Sequence, residues 1–102
     1  MILLIDVGNT NVTIGVHDGK EIVASWRMTT KRDLTSDEIG MTLRSYFSLG
    51  GVRTDDIDGT IISSVVPPIM YSLIHAVKKY LGQEPIIVTD KSKMNLEIKY
   101  DN

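Results

Sequence analysis

The chain has 102 residues, 42% of them apolar and 24% charged, with a formal net charge of -2 and no cysteine. That length suits one domain able to bury about 60% of its unfolded surface, and the composition is that of a soluble globular protein rather than a disordered one. The missing cysteines exclude disulfides and thiolate chemistry, the acidic balance argues against a nucleic-acid partner, and no apolar run approaches the roughly 20 residues of a membrane helix.

Met1 to Val7 is apolar at successive positions, the pattern of a central strand covered on both faces. It does not read as a secretory leader, because a basic start is missing and Asp6 interrupts it before the run reaches about 7 apolar residues. Residues 11 to 17 alternate instead. Val12, Ile14 and Val16 point one way, and Asn11, Thr13, Gly15 and His17 the other, as in a strand with one packed face. Asp18-Gly19 is a hairpin turn, after which Ile22, Ala24, Trp26 and Met28 carry the alternation on. Three strands of an antiparallel meander result. Thr29 to Thr35 is a polar loop. Thr35 and Glu38 then have the spacing of a capping box, predicting a helix with Ile39, Leu43, Tyr46 and Phe47 along one side and Gly50-Gly51 at its end.

Asp55, Asp56 and Asp58 follow in a short polar linker. They lack the ligand spacing of a calcium loop, so turn and capping roles are expected of them. Thr60 to Val66 has the character of a second central strand, stopped by Pro67-Pro68. The prolines open a helix with Met70, Leu73, Ile74, Val77 and Leu81 on one side and Gly82 at the end. Beyond Pro85, Ile86-Ile87-Val88 forms a short buried strand ending at Thr89-Asp90, and residues 91–102 show no periodicity. The order strand, strand, strand, helix, strand, helix, strand predicts an α/β fold. Its later strands should join the first in parallel, giving a mixed five-stranded sheet with flanking helices.

The chemistry concentrates between the first two strands. Asp6-Val7-Gly8-Asn9-Thr10 ends an apolar strand with a carboxylate, a glycine and small hydrogen-bonding residues, and Asn11-Val12-Thr13 resumes the alternation at once. Such a turn gathers backbone N–H groups, side-chain oxygens and one negative charge, which suits a nucleotide phosphate and its metal ion. Asp6 would hold hydrated magnesium, the competing role being acceptance of bonds inside the turn. Gly8 serves either the turn's conformation or the close approach of phosphate, and the two are compatible. Asn9, Thr10, Asn11 and Thr13 supply donors. His17 and His75 lack a second ligand at metal spacing and read as packing or surface residues. Trp26 fits a core or interface position. Ser63-Ser64 lacks a nucleophile-elbow pattern and reads as small packing and hydrogen-bonding residues near the site.

The runs Ile5-Asp6-Val7-Gly8-Asn9-Thr10-Asn11 and Ile62-Ser63-Ser64-Val65-Val66-Pro67-Pro68, together with Tyr100, resemble the start of a type III pantothenate kinase, and the match extends over essentially the whole chain. The resemblance implies the ribonuclease H-like, actin-type domain of the acetate kinase, sugar kinase, heat-shock protein 70 and actin superfamily. It implies ATP-dependent phosphorylation of pantothenate in the cytoplasm, the first step of coenzyme A biosynthesis, by a homodimer using Mg2+ and a monovalent cation, K+ or NH4+. On this resemblance Asp6, Val7, Gly8, Asn9, Thr10, Asn11, Val12 and Thr13 form the first phosphate motif, Asp6 is the metal ligand, and Tyr100 helps to bind pantothenate. Residues 1–102 then correspond to the N-terminal nucleotide-binding domain of a two-domain kinase. The family's catalytic aspartate falls in a later motif beyond Asn102, as does the second domain, so the chain alone is expected to be inactive. The alternative is a non-catalytic nucleotide-binding, regulatory or assembly module of the same superfamily. Neither nucleic acid nor membrane is expected as a partner.

Overall fold

A computed structural model describes residues 1–64 and 67–88. Five strands, β1 (Ile2–Val7), β2 (Asn11–His17), β3 (Ile22–Thr29), β4 (Gly59–Ser64) and β5 (Ile86–Val88), form one sheet in the order β3-β2-β1-β4-β5. The β1–β2 and β2–β3 pairs are antiparallel, whereas β1–β4 and β4–β5 are parallel. The mixed sheet expected from the element order is therefore present. Two helices, α1 (Ser36–Gly50) and α2 (Pro67–Ala76), make the crossovers that parallel pairing requires.

Leu3, Ile5 and Val7 of β1, Val12, Ile14 and Val16 of β2, and Ile62 of β4 share one face of the sheet, and all are buried. Against it pack Ile39, Leu43 and Phe47 of α1 with Ile69 and Leu73 of α2, so both helices cover the same face. The capping box at Thr35 is complete: its Oγ1 accepts the Glu38 N–H at 3.1 Å, and Glu38 Oε1 accepts the Thr35 N–H at 3.1 Å. At the other end Gly51 takes φ 70°, and the Val52 N–H closes on the Phe47 carbonyl at 2.8 Å. A left-handed residue there costs glycine nothing, and the bond satisfies a carbonyl the helix leaves unpaired.

The second helix departs from the simple periodic reading. After Ala76 the chain widens into one π-helical turn, Val77–Leu81, before Gly82 at φ 67° ends it. Ile69, Leu73, Ala76 and Val77 are buried in the core, while Met70, Ile74 and Leu81 pack at its margin. The wider turn lays the Tyr80 ring over Gly40 of α1, where an added Cβ would lie 2.0 Å from Tyr80 Cδ2. Tyr80 Oη and Lys79 Nζ both donate to Asp37 Oδ1, at 2.7 and 2.8 Å, pinning the turn to the first turn of α1.

The acidic linker has a structural role. Asp55 and Asp56 lie in a 3-10 turn (Thr54–Asp56), and Asp58 accepts the Met1 ammonium at 2.6 Å. At the β2–β3 hairpin, Asp18 Oδ1 accepts the N–H groups of Lys20 and Glu21 at 2.8 and 2.9 Å, and Gly19 takes φ 104°. His17 is buried, its Nδ1 accepting the Gly19 N–H at 2.9 Å. His75 is exposed beside Ser36 Oγ and stacks on Tyr71. No group of three potential His, Cys, Asp or Glu metal ligands exists among the described residues.

Candidate phosphate-binding site

The face of the sheet away from the helices carries the polar row. Asp6 lies opposite Thr13 on β2 and opposite Ser63 on β4; Thr13 in turn faces Arg27 on β3, and Ser63 faces Val88 on β5. Cross-strand partners project to the same side, and adjacent strands are about 4.8 Å apart. One row thus holds an arginine, a threonine, an aspartate and a serine across the carboxyl ends of β1 and β4. Here the chain leaves the antiparallel half of the sheet and resumes on the other side of β1. Ligands of open α/β sheets bind at such reversals, outside the carboxyl ends of the strands.

Of the residues read from the sequence as the phosphate hairpin, Asp6, Asn11 and Thr13 share the face away from the helices, each half-buried, and Asn9 and Thr10 form the exposed tip. Val7 and Val12 are 0% and 2% exposed on the helix-covered face, so any part they take in the site is through their backbones. Gly8 does not adopt a left-handed conformation; what it avoids is a close contact, since a Cβ there would meet the Asn11 carbonyl oxygen at 3.2 Å. Its N–H donates to that same oxygen at 2.9 Å, closing a loop of only two residues, Asn9 and Thr10. Tyr100 lies outside the described residues.

Two further residues bear on the hairpin and the row: Thr30, which the sequence did not single out, and Ser63, expected from the sequence as a small packing and hydrogen-bonding residue near the site. Thr30 ties the hairpin down: its Oγ1 donates to the Gly8 carbonyl at 2.8 Å and its N–H to the Thr10 carbonyl at 2.8 Å. A threonine in a polar loop carries no sequence signal for such a brace. Ser63 is 0% exposed, and its Oγ has no hydrogen-bond partner among the described residues. Asp6 Oδ1 is buried beside it.

The row and hairpin suit a phosphate with a hard cation. One carboxylate flanked by hydroxyls is an oxygen donor set, and magnesium takes only one or two carboxylates while keeping several waters. A family model described as type III pantothenate kinase matches residues 2–102. The chain belongs to the type III pantothenate kinase family. Relatives in this family include type III pantothenate kinases from Halalkalibacterium halodurans, 51% identical over all 102 residues, and Listeria welshimeri, 49% identical over the same span. The chain spans 40% and 39% of the lengths of those two relatives.

Solved structures share the architecture at low identity. A ROK hexokinase from Thermus thermophilus aligns with TM-score 0.65 and 13% identity, covering 85% of this chain and 34% of that one. A provisionally named N-acetylglucosamine kinase from Porphyromonas gingivalis aligns with TM-score 0.62 and 20% identity, covering 86% and 33%. The chain thus has a ribonuclease H-like fold.

Proposed function

We propose that this chain is the N-terminal, phosphate-binding portion of an enzyme that transfers a phosphoryl group from ATP to pantothenate, at the start of coenzyme A biosynthesis. The observation that carries the reading is the placement of Asp6 at the end of β1, between Thr13 and Ser63 and next to the tight Gly8 hairpin, in a chain of this family. Phosphoryl transfer asks little covalent work of a protein; in-line positioning and neutralisation of charge on the phosphoryl oxygens dominate.

Asp6 would hold the magnesium through its carboxylate and metal-bound water, and the ion would neutralise charge on the β- and γ-phosphates. Asn9, Thr10, Asn11 and Thr13 would donate to phosphate oxygens, with Thr30 keeping the hairpin in place from behind. Gly8 would let the hairpin stay tight enough for those donors to converge. Tyr100 would contact pantothenate. The remaining assignments, a second domain, a homodimer, a monovalent cation and a cytoplasmic location, rest on the family resemblance and the fraction of the relatives' length that this chain spans.

The test pairs binding with turnover. The 102-residue chain should bind magnesium with a non-hydrolysable ATP analogue yet form no phosphorylated pantothenate, while a protein of the relatives' length bearing this sequence should form it. Product from the short chain, purified free of longer enzyme, would refute its assigned incompleteness. Failure of the longer protein to phosphorylate pantothenate would refute the substrate, and leave a nucleotide-binding module.

A further inference from the structure

The Ser63 hydroxyl is fully buried on the face of the sheet away from the helices, one strand from Asp6 and in register with it, and has no hydrogen-bond partner among the described residues. Such a group is costly. A buried hydroxyl without a partner forfeits its bonds to water, and alanine or valine would fill the position without that loss. Its neighbours in the row are the carboxylate of Asp6 on one side and the apolar Val88 on the other. A serine Oγ–H is a rotor that settles on whatever acceptor is presented to it, and the acceptor of highest charge within reach of β4 is that carboxylate.

We propose that Ser63 is a positioning residue of the phosphate site, its Oγ–H donating to the Asp6 carboxylate when magnesium and nucleotide phosphates are bound. This rests on the phosphate-site reading of Asp6. The bond would fix the rotation of the carboxylate, so that one oxygen faces the bound ion with no reorganisation left to perform. In the ligand-free protein the same hydroxyl is a stability cost, as expected where a polar group is kept for its role in the loaded site. Thr13, on the other side of Asp6, is half-buried on the same face, so the carboxylate is bracketed by hydroxyls on both neighbouring strands.

The experiment is a double-mutant cycle on the 102-residue chain, using calorimetric binding of magnesium with a non-hydrolysable ATP analogue and the Tm of the ligand-free protein. Ser63→Ala should weaken binding about tenfold, the order expected for one hydrogen bond to a charged group. Its ligand-free Tm should rise by about 4 °C or more as the unpartnered hydroxyl is removed. Asp6→Asn should weaken binding at least as much, and Asp6→Asn with Ser63→Ala should be no weaker than Asp6→Asn alone, because the serine acts through the carboxylate. Opposite movement of affinity and Tm is the signature that a merely structural serine would not produce. Unchanged affinity in Ser63→Ala overturns the proposal, as do a lowered Tm accompanying weaker binding and multiplicative losses in the double variant. Absence of binding by the parent chain, or parent-like binding by Asp6→Asn, overturns the phosphate-site reading itself and this inference with it.

Discussion

Gly40→Ala tests the packing of the two helices most sharply, because two opposing terms can be separated. A Cβ built on Gly40 would lie 2.0, 2.4 and 2.5 Å from Cδ2, Cε2 and Cγ of Tyr80. The atoms struck include the root of the ring, so rotating its far end gives no relief. The ring is also held at its tip, where Oη donates to Asp37 Oδ1 at 2.7 Å. Accommodating the methyl therefore means moving the ring and the π-helical turn that carries it. Forced overpacking costs about 1–3 kcal/mol, and contact this close argues for the upper part of that range. Alanine in place of a helical glycine returns about 1 kcal/mol of propensity. The net expectation is a loss of about 1–2 kcal/mol, a fall in Tm of about 4–8 °C per kcal/mol in a domain of this size.

Denaturant and thermal unfolding of the single and paired variants would check this. With Tyr80→Ala in place the steric term disappears, and Gly40→Ala should then stabilise by about 1 kcal/mol. A change of sign between the two backgrounds is the prediction. A neutral or stabilising Gly40→Ala in the unchanged chain, or an equal cost in both backgrounds, would refute the claimed approach of Tyr80 to α1.

Asp6→Asn, in a protein of the relatives' length, should depress kcat at least tenfold while shifting Tm little, measured by coupled assay and calorimetry; unchanged turnover would remove Asp6 from the metal site. Thr30→Val deletes the hydroxyl that holds the Gly8 carbonyl, so amide hydrogen exchange in residues 8–11 should accelerate and stability should fall by about 1 kcal/mol. Thr35→Ala removes half of the capping box and should cost about 1 kcal/mol in urea unfolding. The Asp37 cluster should shape stability against pH at both ends. Lys79 and then Tyr80 hold the Asp37 carboxyl below its ordinary value of 3.8, so its contribution is present above that pH and lost as the solution is acidified further. Asp37 in turn raises Lys79 and Tyr80 above 10.5 and 10.0, so their contribution is present at neutral pH and lost on strong alkalinisation. Asp37→Asn should therefore narrow the gap to the parent protein at both extremes, in unfolding curves from about pH 3 to pH 11.

Local signals were legible wherever a residue acts on its own neighbours. Thr35 and Glu38 announce a helix start because both halves of the capping box lie within one turn, and Gly51 and Gly82 announce helix ends because their backbones take positive φ. Asp18-Gly19 announces a hairpin for the same reason. The π-helical turn was not legible, since Val77-Lys78-Lys79-Tyr80-Leu81 continues an ordinary helical pattern; what favours the wider turn lies across the interface, in Gly40 and Asp37 of α1.

The site divides along the same line. The hairpin from Asp6 to Thr13 is contiguous, so its composition alone suggested phosphate, and the structure adds that Val7 and Val12 turn their side chains to the core. The row Arg27, Thr13, Asp6, Ser63 exists only through strand register, and a slip of one residue between β1 and β4 would send Ser63 to the helix-covered face. Leu3 and Ile5 fix that register from beneath. They pack beside Thr60 and Ile62 under α1 and α2, so their burial on one face determines which residue stands beside Asp6 on the other. Core substitutions at Ile5 or Ile62 that preserve stability but loosen register should therefore weaken magnesium–nucleotide binding, though neither side chain reaches the face away from the helices. Arg27 belongs to the row without belonging to the hairpin. Its partner Thr13 stands between it and Asp6 in the row, which places a permanent positive charge two strands from the carboxylate.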